Sequence, residues 1–388
     1  MNVIQVCIVS VKDLKAAVTS AIKSVTKRNY EILTYFSCTN TKSGLTITGY
    51  DLQTGVSNTI ESEWQADCKF LIPAHTLKTW ISKQSGDCQI AIIETEEGKA
   101  VRLTVGKTSI GLPSRDFEDY PVLPQWDAPI ATLELDVETL GKAITACKKF
   151  VANDYTQPSI NGVNFSSANG FLTIQSTNRH VISRYQVKAD SPEFSLTISP
   201  DSLVMPKKGK VKLNFYAEYI SVNNDNNQTL VKTIDEAFPA LISDWQPTIN
   251  NTLSVDKKAL LNQLEIALAY SKDIVLHLYT EGDRLRIMGE CEDGALFVEL
   301  PATVHSKAYM TSISGKYFKD TVSLSQSVNV TLAFNCDWYG QTDLLGVIGR
   351  TSQFVAKTVS KRLPSWLENA HDSQASNSSI ADSVGQYR

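Results

Sequence analysis

Five histidines, His75, His180, His277, His305 and His371, are the side chains best suited to acid–base work or metal ligation near neutral pH. None stands in an HExxH, GxSxG or phosphate-loop context, and no pair of carboxylates has a setting that suggests acid–base catalysis. His277 alternates with Leu276 and Leu278, a strand pattern that predicts a solvent-facing ring. The seven cysteines (Cys7, Cys38, Cys68, Cys88, Cys147, Cys291 and Cys336) are odd in number and include no CxxC pair. Neither a zinc site nor a disulfide framework follows from them, and most sit in apolar stretches where a reduced core thiol is expected. No catalytic residue, metal or cofactor is therefore expected.

What the residues do offer is positive charge in particular places. The 388-residue chain carries a net charge of −4, so any attraction to nucleic acid must come from how charge is distributed. Lysine and arginine outnumber acids in residues 12–28, 73–84, 136–149, 206–212, 256–272 and 314–320, which leaves the remainder strongly acidic. Lys78, Lys148, Lys149, Lys207, Lys208 and Lys210 belong to these segments. Spread-out lysines neutralise phosphates without reading bases, which gives weak, salt-sensitive attraction to nucleic acid.

Most of these segments coincide with elements that could hold them on one face. Leu14, Ala17, Val18, Ala21, Ile22 and Val25 have helical spacing, as do Val137, Leu140, Ile144, Cys147 and Val151, and Leu260, Leu261, Leu264, Leu268 and Ala269. Ser10 with Asp13, Asp136 and Asp256 stand where N-terminal caps belong. The three helices recur at roughly 120-residue intervals, which marks an internal repeat. A hairpin comes after each, turning at Ser43-Gly44, Asn169-Gly170 and Gly282-Asp283. Segments 116–124 and 236–241 punctuate the chain before short linkers with tryptophan, proline and glutamine. Domains are thus expected at 1–127, 128–249 and 250–363. Phe70-Leu71-Ile72-Pro73 leads into a second helix over 74–84, Leu203-Val204-Met205-Pro206 is its counterpart, and a matching helix begins near Ser314. The expected class is α+β, with two βαβββ halves per domain.

At this point the sequence resembles the bacterial β sliding clamps, the β subunits of DNA polymerase III. The resemblance covers about residues 1–363 and rests on phrases in order: Leu45-Thr46-Ile47-Thr48-Gly49-Tyr50-Asp51-Leu52, Ser176-Thr177-Asn178-Arg179-His180-Val181-Ile182-Ser183, Met205-Pro206-Lys207-Lys208-Gly209, Ala237-Phe238-Pro239, and the stretch from Phe354 to Leu363. It implies three tandem clamp domains with helices inside and sheets outside, closed as a head-to-tail homodimeric ring around duplex DNA. It also implies processive replication, with DNA polymerase and clamp-loader peptides as partners. Lys27 and Arg28 become candidate DNA contacts, with Tyr155 in a loop beside them in role. A partner-peptide pocket would use Ile160, Thr177, Arg179, His180, Ile182, Pro239, Ile274, Val275, Ser314, Tyr317, Arg362 and Leu363.

Three departures from the family pattern stand out. Gly209 runs directly into the alternating Lys210-Val211-Lys212-Leu213-Asn214-Phe215, so the second inner helix of the middle domain is expected to be missing. Val181 stands where the family has arginine. Residues 364–388, rich in Ser, Asn and Ala, extend beyond the family's usual end and are expected to be disordered. The alternative implied is a specialised clamp paralogue, of phage, plasmid or repair type, with an altered pocket. No secretory leader or membrane span is evident, and a cytoplasmic, nucleoid-associated protein is expected.

Overall fold

A computed structural model describes residues 2–27, 30–95, 98–125, 128–239, 251–291, 294–305, 310–325, 327–336, 342–348 and 354–358. Arg28, Arg362, Leu363, the 364–388 tail and the tryptophans of both linkers lie outside them. The chain forms two compact units, the first of Met1–Ile144, Gly162–Leu172 and Ala189–Phe238, the second of Thr145–Asn161, Thr173–Lys188 and Pro239–Arg388.

In the first unit, helix α1 (Val11–Ala21) and helix α2 (Ala74–Ile81) turn the apolar stripes read from the sequence toward one core. Leu14, Ala17, Val18 and Ala21 meet Ala74, Leu77 and Ile81 there, over Phe36, Ile47, Val56, Val101 and Leu103 from the strands. The seat of α1 depends on a glycine. A Cβ on Gly49 would lie 2.3 Å from the Ala21 carbonyl oxygen, so no other residue fits without displacing the helix end. Ser24 Oγ closes the same junction, donating at 3.0 Å to Ala21 O and at 2.9 Å to Gly49 O.

An eight-stranded antiparallel sheet runs through this unit in the order Ala131–Asp136, Lys210–Phe215, Tyr219–Asn223, Asn227–Lys232, Thr54–Ile60, Gly44–Tyr50, Tyr35–Thr41 and Cys68–Pro73. Its seam pairs Asn227 with Asn58 and Val231 with Thr54, so strands of the first two repeats share one hydrogen-bonded ladder. A five-stranded sheet holds the amino-terminal strand, Asn2–Ser10, between Glu63–Trp64 and Asp87–Thr95.

The second unit is built on a seven-stranded sheet, running from Met310–Ser314 at one edge to Thr342–Ile348 at the other. Helix α3 (Val137–Lys148) ends in this unit. Helices α4 (Lys257–Tyr270) and α5 (Gly315–Leu324) bury Leu260, Leu264, Ala267, Phe318 and Val322 in its core. Asp256 caps α4 as predicted, accepting from Ala259 N at 2.7 Å.

Four expectations need correction. Ser10 makes no side-chain bond at the start of α1. Of the residues assigned to the buried stripe of α4, Leu261 and Leu268 are only half-buried and Ala269 is exposed. Leu203–Pro206 forms no strand, although it matches Phe70–Pro73 by position. His277 is buried, because its strand, Val275–Glu281, lies between two partner strands and is covered on both faces. His277 Nδ1 lies 2.7 Å from Ser312 Oγ, and burial holds the imidazole below its usual range.

Candidate nucleic-acid interface and partner cleft

In the first unit, the sequence-selected lysines divide by whether a carboxylate holds them. Lys27, just past α1, and Lys78, beside buried Leu77 on α2, are exposed. Lys207 and Lys208 are exposed in a bend that ends at Gly209, whose φ of +94° requires the left-handed backbone glycine tolerates. The bend is anchored by Val137 N, which donates to Gly209 O at 2.9 Å. Lys210, the next residue, is paired at 2.7 Å with Glu134 on the adjoining strand, and that partner raises its pKa.

Residues 199–209 contain no helix, as the alternation after Gly209 predicts. An open cleft lies beside them. Lys23, Lys207 and Lys208 border it with Leu203, Met205 and Pro206, facing Asp136–Thr139 at the start of α3. A second hollow is bordered by Met205 and Pro206 and by Asn58, Val222, Asn227 and Thr229 of the sheet, and it shares Lys23 and Lys207. Carboxylates are present as well. Asp13 and Glu61 border the second hollow, and Glu138 at the first is paired with Lys142. Lys23 is legible in the sequence only as one charge in a basic segment; its position on the last turn after α1 brings it to the cleft.

In the second unit, Lys148 ends α3 and Lys149 follows it in a turn, and both are exposed. Lys149 Nζ donates to Ser323 Oγ at 2.7 Å and lies 3.6 Å from Asp320, so it holds the far end of α5. Lys257 serves the same end, donating to Ser325 O at 2.6 Å. Tyr155 is 92% exposed at the tip of a loop.

All ten described pocket candidates lie in this second unit. Thr177 and Asn178 build a tight turn. Thr177 Oγ1 donates to Val181 O at 2.9 Å and accepts from Arg179 N at 3.1 Å, while Asn178 Oδ1 accepts from His180 N and Val181 N. Arg179 sits at φ +72°, and its side chain reaches Asp154 at 2.7 Å and Gln157 at 3.0 Å. His180 is exposed and stacks on Tyr317 of α5, with centroids 5.8 Å apart and planes 22° apart. Behind them Phe150 and Val181 pack against Tyr317 and Leu324. Ile182 is half-buried on a strand that pairs with Phe354–Thr358.

The remaining candidates are less accessible or stand apart. Ile160 ends a 3-10 turn and is 1% exposed. Val275 pairs with Ser314 at the start of α5, and Ile274 is wedged over two glycines, Gly289 and Gly315, where an added Cβ would come within 2.8 and 2.9 Å of it. Pro239 is half-buried, and no described contact joins it to the turn.

Burial pushes the thiols of Cys7, Cys88 and Cys147 up to about 12, which keeps them protonated and unreactive. Among the described residues no cluster of His, Cys, Asp and Glu could hold a metal ion, and no helix is long and apolar enough to cross a membrane.

Residues 6–124 match the family model described as the DNA polymerase III beta subunit, N-terminal domain. The chain is 29% identical over 170 residues to the beta sliding clamp of Haemophilus influenzae, a match that spans 44% of each chain. It is 25% identical over 269 residues to that of Halalkalibacterium halodurans, covering 62% of this chain and 68% of the relative. The DNA polymerase sliding clamp of Bacillus subtilis superposes with a TM-score of 0.82 at 18% identity, over 93% of this chain and 100% of that one. The β subunit of Thermotoga maritima gives 0.78 at 16% identity, over 94% and 100%. The chain is a divergent relative of the bacterial β sliding clamps, sharing their fold along nearly its whole length and their sequence signature most clearly in its first third.

Proposed function

We propose that this protein is a DNA sliding clamp, a processivity factor without catalytic residues that closes around duplex DNA as a head-to-tail dimer. The observation that carries the reading is the cleft bordered by Lys23, Lys207 and Lys208. These lysines come from two stretches distant in sequence and face solvent rather than a core, as sequence-independent phosphate contact requires. Lys27, Arg28 and Lys78 are further phosphate contacts in this reading, and Lys148 and Tyr155 are separate candidates in the second unit. Lys149 and Lys210 contribute less, because Asp320 and Glu134 already hold them. Three clamp domains, 1–127, 128–249 and 250–363, supply the pseudo-symmetric ring wall.

Topology is the test. The purified chain should sediment as a dimer of two 42.8-kDa protomers. Loaded on a nicked circle, it should remain bound through gel filtration and be released when the circle is cut. A chain that leaves circles and linear DNA at the same rate does not encircle them.

The turn at Thr177–Val181 supports a second, narrower reading, in which the partners differ from those of a standard replicase clamp. Val181 is fully buried where the family resemblance implies an arginine, and Arg179 is tied down by Asp154 and Gln157. Pull-down with peptides from the replicative polymerase and the clamp loader decides it. Micromolar binding favours the standard role, and its absence favours a specialised paralogue.

A further inference from the structure

Arg179 joins two features that the clamp reading treats separately. Its backbone occupies the left-handed region at φ +72°, which is strained for a non-glycine residue. Such strain persists only where surrounding contacts fix it. Here Thr177 and Asn178 bind the N–H groups of the turn, and the guanidinium adds two bonds to the neighbouring loop, Nη2 to Asp154 at 2.7 Å and Nε to Gln157 at 3.0 Å. Asp154 and Gln157 belong to the loop that carries Tyr155 at its tip. That loop is itself closed. Asp154 N donates to Asn161 Oδ1 at 2.9 Å, Asn161 Nδ2 returns to Asp154 O at 2.8 Å, and Thr156 donates twice to the Asp154 carboxylate. On the other side, the residue after Arg179 is His180, stacked on Tyr317. A single side chain thus ties the most exposed aromatic among the described residues of this unit to the turn and helix that frame the candidate partner cleft.

We infer that Arg179 is a positioning residue that makes the Tyr155 loop and the partner cleft one mechanical element, so that duplex DNA held against the loop orders the cleft for its partner. The inference rests on the clamp reading and adds regulation to it. DNA that restrains residues 153–157 restrains Asp154 and Gln157, and through them the backbone of Arg179 and the ring of His180. A partner entering an already ordered cleft loses less conformational freedom, which is positive coupling without a change of fold.

Arg179→Gly is the informative variant. Glycine adopts φ +72° without strain, so the turn and the fold survive while the link to the loop is removed. Hydrogen exchange is followed in the intact chain with and without a 24-base-pair duplex at low salt. In the unmodified protein the duplex should slow exchange at 153–157 and, by about tenfold, at 177–182, within the usual range of coupling between sites. In Arg179→Gly, and in Asp154→Asn as an independent break of the same link, protection should remain at 153–157 and fall below about twofold at 177–182. Equal protection of 177–182 in all three proteins overturns the inference. So does a duplex that binds but leaves either segment unchanged, and in both cases retention on circles still stands as evidence of encircling. Failure of circle retention, by contrast, overturns the clamp reading whatever the exchange pattern.

Discussion

Two four-residue phrases in the first unit, Phe70-Leu71-Ile72-Pro73 and Leu203-Val204-Met205-Pro206, are close in composition and take the same place in their repeats, yet they fold differently. The first is a strand that delivers α2; the second is an irregular segment leading into a bend. The difference lies in the residues after each proline. Beyond Pro73, Ala74, Leu77 and Ile81 fall on one face and are all buried, leaving His75, Lys78 and Thr79 to solvent. Beyond Pro206 come two lysines and a glycine, and then apolar residues at every second position, Val211, Leu213 and Phe215, which can be buried only from a strand. A period of 3.6 makes a helix and covers the sheet. A period of 2 extends the sheet, and Asn58, Val222 and Thr229 line a hollow beside it while remaining buried.

The largest effect expected from this contrast is in the core. Leu77→Ala removes a side chain that is 1% exposed and packed among α1, α2 and the sheet, and should lower the unfolding free energy by about 2–5 kcal/mol. Val204→Ala, on the segment that replaces a helix, should cost about 1–2 kcal/mol, the value of two buried methyl groups. Urea titration of both variants compares them. Equal losses would mean that the irregular segment holds the sheet as firmly as α2 does, and that the middle repeat has not been opened by losing its helix.

Much of the fold could be read from such periods, because burial on one face imposes them residue by residue. The three first helices, the hairpins turning at Gly44, Gly170 and Gly282, and the strand after Gly209 come directly from spacing, and all three hairpin glycines have positive φ. What local pattern could not carry is the identity of neighbours distant in sequence. His277 alternates as a half-exposed strand would, but residues on both faces of its strand are buried. Lys149 and Lys210 look like their basic neighbours until Asp320 and Glu134 are found beside them. Arg179 is selected by family resemblance, while its bond to Asp154, across 25 positions of sequence, has no sequence signal. The Lys23 cleft is hidden for the same reason, since its walls come from residues near 23, 137 and 205.

A middle-sized effect tests how the irregular segment is fixed. Thr229 Oγ1 donates to Val204 O at 2.7 Å, and both groups are buried. A helix would satisfy such a carbonyl internally; here the sheet must do so through a side chain. Thr229→Val keeps the shape and leaves the carbonyl unpaired, at a cost of about 1–3 kcal/mol. The corresponding change at Thr79, whose Oγ1 donates back to His75 O at 2.9 Å on the exposed face of α2, should be nearly silent. If Thr229→Val is also silent, Val204 is held by packing alone.

The smallest effect separates lysines that differ by two positions. Lys208 borders the cleft, whereas Lys210 is exposed but bound to Glu134, which raises its pKa by accepting its hydrogen bond. A lysine that neutralises a phosphate adds close to one to the slope of log affinity against log salt, about 0.9 per contact on duplex DNA. Lys208→Gln should therefore reduce the slope by nearly one unit, measured by anisotropy on a labelled duplex across a salt series. Lys210→Gln should leave it almost unchanged, because that charge is already shared with a carboxylate and gives up little to a phosphate. An equal reduction in both would mean that Glu134 releases Lys210 when DNA arrives, and that the strand after Gly209 takes part in binding together with the bend before it.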